Sequence, residues 1–286
     1  MARHHKKIID VASAIVILAL ITLDAALWKN IVADNAARVS DARIYFLPVT
    51  QGESALLVLP GGVTVLTDAG SDAGIVDDLP KVLPAGDASY IDLAIISYPQ
   101  AADYEGYQYL LQHDRIGALL YNGRSDDAHS AEWQQLMATI GQEHIPLVTV
   151  GAGDTIHFDG AEIDILSPDA TFASSPEPSD TGIVQRVITP NFTALLAADI
   201  GTNVENALLA HNDVLSADIL KAPFPGLGTI AGDAFLSAVQ PQTIVIAPGV
   251  RNTASAPTKA MLAHLASSTR AKLVMPGQGR FLLYNK

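Results

Sequence analysis

Short apolar runs follow one another at close intervals through most of this chain, and their order admits few folds. "RIYFLPV" (43–49), "ALLVL" (55–59) and "VTVLTD" (63–68) are separated only by "TQGES" and "PGG". Such runs with Gly and Pro between them predict strands joined by tight turns, the Pro-Gly-Gly at 60–62 suiting a hairpin. A helical pattern, "AGIVDDLPKVL", comes next. "IDLAIIS" (91–97) is then apolar apart from Asp92 and Ser97, as expected of a strand covered on both faces. "DYEGYQYLLQHD" reads as a helix, "IGALLYN" as a strand, and "SAEWQQLMATIGQEH" as a helix opened by a Ser130 cap.

The second half repeats this alternation of styles. "PLVTV", "DTIHFD" and "AEIDILSP" are strands, the last two joined by Asp159-Gly160, and "IVQRVITPNFTALLAAD" folds back on itself at Thr189-Pro190-Asn191. Helix and strand then alternate through "NVENALLAH", "ADILKAP", "IAGDAFLSAV", "TIVIAPG", "PTKAMLAHLASS", "AKLVMPG" and "RFLLYN". Strand meanders mixed with strand–helix alternation predict an α/β domain, two mixed sheets packed together with helices outside. The loop "ATFASSPEPSDTG" (170–182) is no domain boundary, because the strands on either side read as neighbours in one sheet.

Ahead of this domain, Ile8 to Trp28 forms an apolar stretch with no charge between Val11 and Leu23. As a helix it is about 30 Å long, enough to cross a bilayer. Residues 1–7 are then a basic cytoplasmic flank, 8–28 a transmembrane anchor, 29–42 a stalk, and 43–286 the domain, outside the cytoplasmic face. A cleaved signal peptide and a buried core helix are the competing readings. The run is long for the first, and an all-round apolar helix at a terminus finds little cover as the second.

Charge excludes one class of partner. The formal net charge is −13. Four of the 17 basic residues (Arg3, Lys6, Lys7, Lys29) and two of the 30 acidic ones (Asp10, Asp24) lie in the first 30 positions, which leaves 13 against 28 beyond them. A field of that sign repels a phosphate backbone, and no Lys/Arg cluster offsets it. There is no cysteine, so disulfides, thiolate metal sites and Cys nucleophiles are all excluded.

The order "IYFLPVTQGESALLVLPGGVTVLTDAG … YIDLAIISYPQAADYEGYQYLL … GDTIHFDGAEIDILSP … FTALLAADIGTNVENALL … ADILKAPFPG" resembles the metallo-β-lactamase fold superfamily. It looks closest to the hydrolase-like domain of competence-related DNA-uptake proteins of the ComEC type and their single-pass membrane-anchored relatives. The resemblance covers roughly residues 43–285 and implies a four-layer αββα sandwich. It also implies two zinc ions at one edge, held by loops at strand ends and activating a bridging water.

Position by position, the residues that would hold those ions are replaced. The family's H-x-H-x-D-H loop falls on Tyr98, Gln100, Ala102 and Asp103, its later His-His-Gly-Ser begins at Phe224 and Pro225, and a further His-Pro falls on Ala256-Pro257. Asp199 matches the bridging carboxylate and Asp68 a structural Asp near the site. Tyr, Gln, Ala, Phe and Pro do not bind zinc as imidazole does. No metal or other cofactor is therefore expected, and Tyr98 and Phe224 are expected to pack over the ancestral cleft. The alternative is a divalent ion bound weakly by Asp68, Asp103 and Asp199.

Other chemistries fit less well. His4 and His5 belong to the basic flank; the remaining histidines are scattered without metal-ligand spacing. Ser54 and Ser97 have no His near them in sequence and no G-x-S-x-G. Two acidic clusters, "SDAGIVDDLP" and "YNGRSDDAHS", read as solvated helix starts. The expected role is a non-catalytic binding or scaffolding module in the cell envelope, with a protein partner and no direct nucleic-acid contact. The alternative is a membrane-bound, metal-dependent hydrolase of phosphodiesters or related esters.

Overall fold

A computed structural model describes residues 41–83, 90–125, 130–211, 214–223, 231–247, 249, 257–276 and 282–284. The expected anchor at 8–28 lies outside them, as do the stalk up to residue 40, Phe224, Pro225 and Ala256. No helix among the described residues is long and apolar enough to cross a membrane.

The strand runs of the first half build one seven-stranded sheet. β1 (Arg43–Phe46), β2 (Ala55–Val58) and β3 (Thr64–Thr67) form an antiparallel meander, and β4 (Tyr90–Ile95), β5 (Arg115–Tyr121) and β6 (Leu147–Thr149) continue it in parallel. The second half builds another to the same plan. β7 (Thr155–Phe158), β8 (Ala161–Ser167), β9 (Val184–Ile188) and β10 (Thr193–Leu196) are antiparallel; β11 (Ile219–Lys221), β12 (Thr243–Val245) and β13 (Lys272–Val274) follow in parallel. The last strand, β14 (Leu282–Tyr284), returns to pair with β1 and so ties the end of the chain to its first strand. The orders are β14-β1-β2-β3-β4-β5-β6 and β13-β12-β11-β10-β9-β8-β7.

Parallel neighbours need crossovers, and the helices supply them. α1 (Gly74–Asp78), α2 (Ala101–Leu110) and α3 (Ala131–Gln142) serve the first sheet; α4 (Thr202–Ala210), α5 (Asp233–Val239) and α6 (Lys259–Ser268) serve the second. Three apolar clusters result. One lies between the sheets and joins Ile44, Phe46, Leu57, Leu59 and Ile95 of the first to Ile163, Val187 and Leu196 of the second. The others lie under the two helical layers, around Leu56, Leu66, Tyr107 and Leu136 on one side and Leu195, Leu220 and Phe235 on the other. Successive strand side chains point to opposite faces. Leu56 therefore packs under helices while Leu57 fills the space between sheets, which is why these strands read as unbroken apolar runs. β8, at the flank of its sheet, alternates instead, with Ala161, Ile163, Ile165 and Ser167 buried.

Three local features add to the sequence pattern, and the first departs from it. The run 73–83 is not one helix: α1 ends at Asp78 and a 3₁₀ turn, Leu79–Lys81, follows. Pro80 has no N–H and its ring obstructs the carbonyl four residues back, so an α-helix cannot run through it. The Pro-Gly-Gly between β2 and β3 closes the expected hairpin, and does so as a 3₁₀ turn with Gly61 at φ 83°. The loop at 170–182 carries a third, Pro178–Asp180, and is pinned from both sides. Asp180 accepts from Ser175 Oγ at 2.7 Å and Asn203 Nδ2 at 3.3 Å, while Asn122 Nδ2 of the first sheet donates to Thr181 O at 2.7 Å.

Candidate functional site

At the ends of β3, β4, β10 and β11 four loops converge, the position at which α/β sheets commonly place their ligands. The turn between β1 and β2 brings Glu53 and Ser54. Its Gly52 sits at φ +71°, and a Cβ there would lie 1.9 Å from the carbonyl oxygen of Ala102, so only glycine lets this turn lie against the start of α2. Asp103, in the first turn of α2, is 3 % exposed, and its carbonyl accepts from Ala69 N at 2.8 Å.

Asp68 caps β3 in a left-handed conformation, φ +57°. Its Oδ1 accepts from Ser97 N at 2.8 Å and its Oδ2 from Ser97 Oγ at 2.6 Å; its carbonyl accepts from Ser54 Oγ at 2.9 Å. Both serine hydroxyls are thus committed to Asp68, not to a histidine. Burial pushes the Asp68 carboxyl up to about 7 against the pull of the Ser97 hydrogen bonds. Burial, then the carboxylates of Asp68, Asp199 and Glu53, push Asp103 well above the ordinary range.

The centre of the arrangement is Lys221, at the end of β11 and 4 % exposed. Its Nζ donates to Ala198 O at 2.6 Å, lies 3.5 Å from Asp199 Oδ1 and forms an ion pair with Glu53 Oε1. Burial alone would lower its pKa, but Glu53 and Asp199 outweigh that and hold the ammonium charged. Glu53 feels the reverse balance: burial raises it and Lys221 pulls it back. Beside these groups lies a cavity of about 20 Å³, lined by Glu53, Asp68, Ser97, Gln185 and Lys221, with room for one water. Gln185 is fully buried; its Oε1 accepts from Thr67 Oγ1 at 3.1 Å, and its Nε2 has no hydrogen-bond partner among the described residues.

The structure thus brings Asp68, Asp103 and Asp199 within electrostatic reach of one another and of Lys221. Tyr98 is buried, 6 % exposed. Gln100 is exposed and starts α2 with its backbone carbonyl, which accepts from Asp103 N at 2.8 Å. Ala102 contributes its carbonyl against Gly52. Glu53 and Lys221 are the residues that sequence reasoning missed. The available signal was Lys221 itself, the one charge inside the otherwise apolar stretch "ILKAP". The residues do not fit the two-zinc centre that the fold implies. No imidazole is present in the 98–103 loop, an ammonium already takes up Glu53 and Asp199, and among the described residues no three His, Asp or Glu side chains are placed to hold a metal ion. The described histidines lie apart, His157 beside Glu162 at 3.1 Å and His264 near Ala231 O at 3.2 Å.

The backbone, by contrast, has known counterparts. The metallo-β-lactamase fold protein YhfI from Bacillus subtilis matches over 85 % of this chain and 100 % of its own, with a TM-score of 0.55 and 11 % identity. This is the metallo-β-lactamase fold. Zn²⁺-bound PqqB from Methylobacterium extorquens matches over 84 % of this chain and 99 % of its own, TM-score 0.55 at 11 % identity. CmlA, a diiron β-hydroxylase from Streptomyces venezuelae, matches over 87 % of this chain with a TM-score of 0.56 and 11 % identity; this chain spans 55 % of that protein's length. No protein-family model matches the sequence, and no curated protein matches it. Two mixed sheets with helices outside, expected from the sequence, are what the structure has.

Proposed function

We propose that this chain is a metal-independent binding or scaffolding module built on the metallo-β-lactamase fold, held in the cell envelope by the segment at 8–28 with its N-terminus cytoplasmic. The observation that carries this reading is the buried Lys221 ammonium, seated among the carboxylates at the strand ends. Charge sets the partner class. With 28 acidic against 13 basic residues beyond position 30, a protein with a cationic face is favoured over nucleic acid. A likeness to ComEC-type uptake proteins rests on "VTQGES", "VLTDAG" and "LLAADI" alone and gives no reason to expect DNA contact at this charge.

The second reading is a membrane-bound hydrolase of phosphodiesters or related esters using a divalent ion other than zinc; it would draw on Asp68, Asp103 and Asp199, which lie within electrostatic reach of one another but are not placed as an ion site. Metal analysis of the detergent-purified full chain, with melting curves in and out of chelator, decides between them. The binding module predicts no stoichiometric metal and one melting temperature in both conditions. Stoichiometric metal lost in Asp199→Ala, with ester hydrolysis that chelation abolishes, would establish the hydrolase.

A further inference from the structure

We infer that the Lys221 ammonium is a built-in cation that takes over from a metal ion the task of holding the strand-end carboxylates of this fold together. This rests on the metal-independent reading above and extends it to a specific residue.

An ammonium has three N–H donors and no acceptor. Here three oxygens surround it: Glu53 Oε1 from the β1–β2 turn, and Ala198 O and Asp199 Oδ1 from the end of β10. These three oxygens match the three N–H donors of the ammonium, and an ion at the same point would draw on the same loops. The backbone is bent to suit it. Ala198 holds φ +44°, unfavourable for a residue with a Cβ, and its carbonyl is the acceptor at 2.6 Å. Each loop joined in this way comes from a different part of the chain: Glu53 from the first sheet, Asp199 and Lys221 from the second. The ammonium therefore ties the two sheets together at their open end. Beside it the cavity has room for one water, and Gln185, whose Nε2 has no hydrogen-bond partner among the described residues, lines that space.

Taking away one partner of a buried ion pair leaves the other charge uncompensated. Without Lys221 the acidic groups of Glu53 and Asp199 would lose their cation, and protons or a divalent ion from solution would be the available replacements. The test is thermal melting of the full-length protein in detergent, wild type against Lys221→Ala, in chelator and with millimolar Mg²⁺, Ca²⁺, Mn²⁺ or Zn²⁺. Wild type should melt at one temperature throughout. Lys221→Ala should melt lower in chelator and regain at least about 5 °C in one of the ions, since a ligand bound only to the folded state raises its melting point. A Lys221→Ala protein that is as stable as wild type in chelator, or that no divalent ion restores, overturns the inference. If Lys221→Ala does not fold in chelator, folding on addition of the ion supports it and failure to fold with every ion overturns it.

A second comparison needs no ion. Lys221→Met with Glu53→Gln removes both charges, and it should melt above Lys221→Met alone. An equal or lower melting point overturns the pairing. Metal found in the wild-type protein would instead overturn the metal-independent function, and leave the Lys221 comparison to be read separately.

Discussion

Asp68 shows how much one position in this site depends on its surroundings. In the sequence it ends the run "VLTD". In the fold it is 2 % exposed, held left-handed, and given two hydrogen bonds by Ser97. Burial raises its pKa from 3.8 to about 7, so between those values the folded state binds a proton that the unfolded chain has released. Stability from this group is fully present below about pH 4 and is lost as pH rises to about 7, up to about 4 kcal/mol. Asparagine mimics the protonated acid and tolerates a positive φ. Asp68→Asn should therefore leave the urea midpoint near wild type at pH 4 and raise it at pH 8. A midpoint lowered equally at both values would show that the buried carboxyl is ionised throughout. Asp103 and Asp199 were legible only as acids at positions that the resemblance singles out. Glu53 and Lys221 were not, because a turn Glu and a strand Lys carry no motif, and only their approach from opposite sheets makes them a pair.

Elements were the most readable level, because period, caps and breakers are local. Ser130 before "AEWQQLMATIGQ" predicts a cap, and its Oγ accepts from Trp133 N at 3.1 Å. The same hydroxyl meets Tyr104 OH at 2.9 Å, and Tyr104 stacks edge-on against Trp133 with ring centroids 4.9 Å apart. One serine therefore starts α3 and fastens it to α2. Ser130→Ala should cost about 1–2 kcal/mol, the cap plus the hydrogen bond to the Tyr104 hydroxyl, read from a chemical denaturation midpoint. Pro80 was visible in the sequence, yet its break between α1 and the 3₁₀ turn was passed over because the apolar spacing continues across it. The loop at 170–182 reads as polar filler since its order comes from distant partners, Asn122 and Asn203, that no local pattern announces.

For the whole molecule, one core between two sheets makes both halves a single unit. Leu57 from β2 is fully buried in the cluster that also holds Ile163 and Val187 of the other sheet. Leu57→Ala should cost about 2–5 kcal/mol while the denaturation curve stays a single transition. Two separate transitions would mean that the sheets fold independently. The places of the strands and helices along the chain and their apolar character were set by the amino-acid sequence, because each is a matter of residue type at short spacing. So was the absence of imidazole from the loop at 98–103, which carries Tyr98, Gln100 and Ala102. The meeting of Glu53, Asp199 and Ala198 around the Lys221 ammonium was decided by the tertiary structure alone. Those groups are spread from position 53 to position 221, and only the packing of one sheet on the other brings them within a hydrogen bond's length.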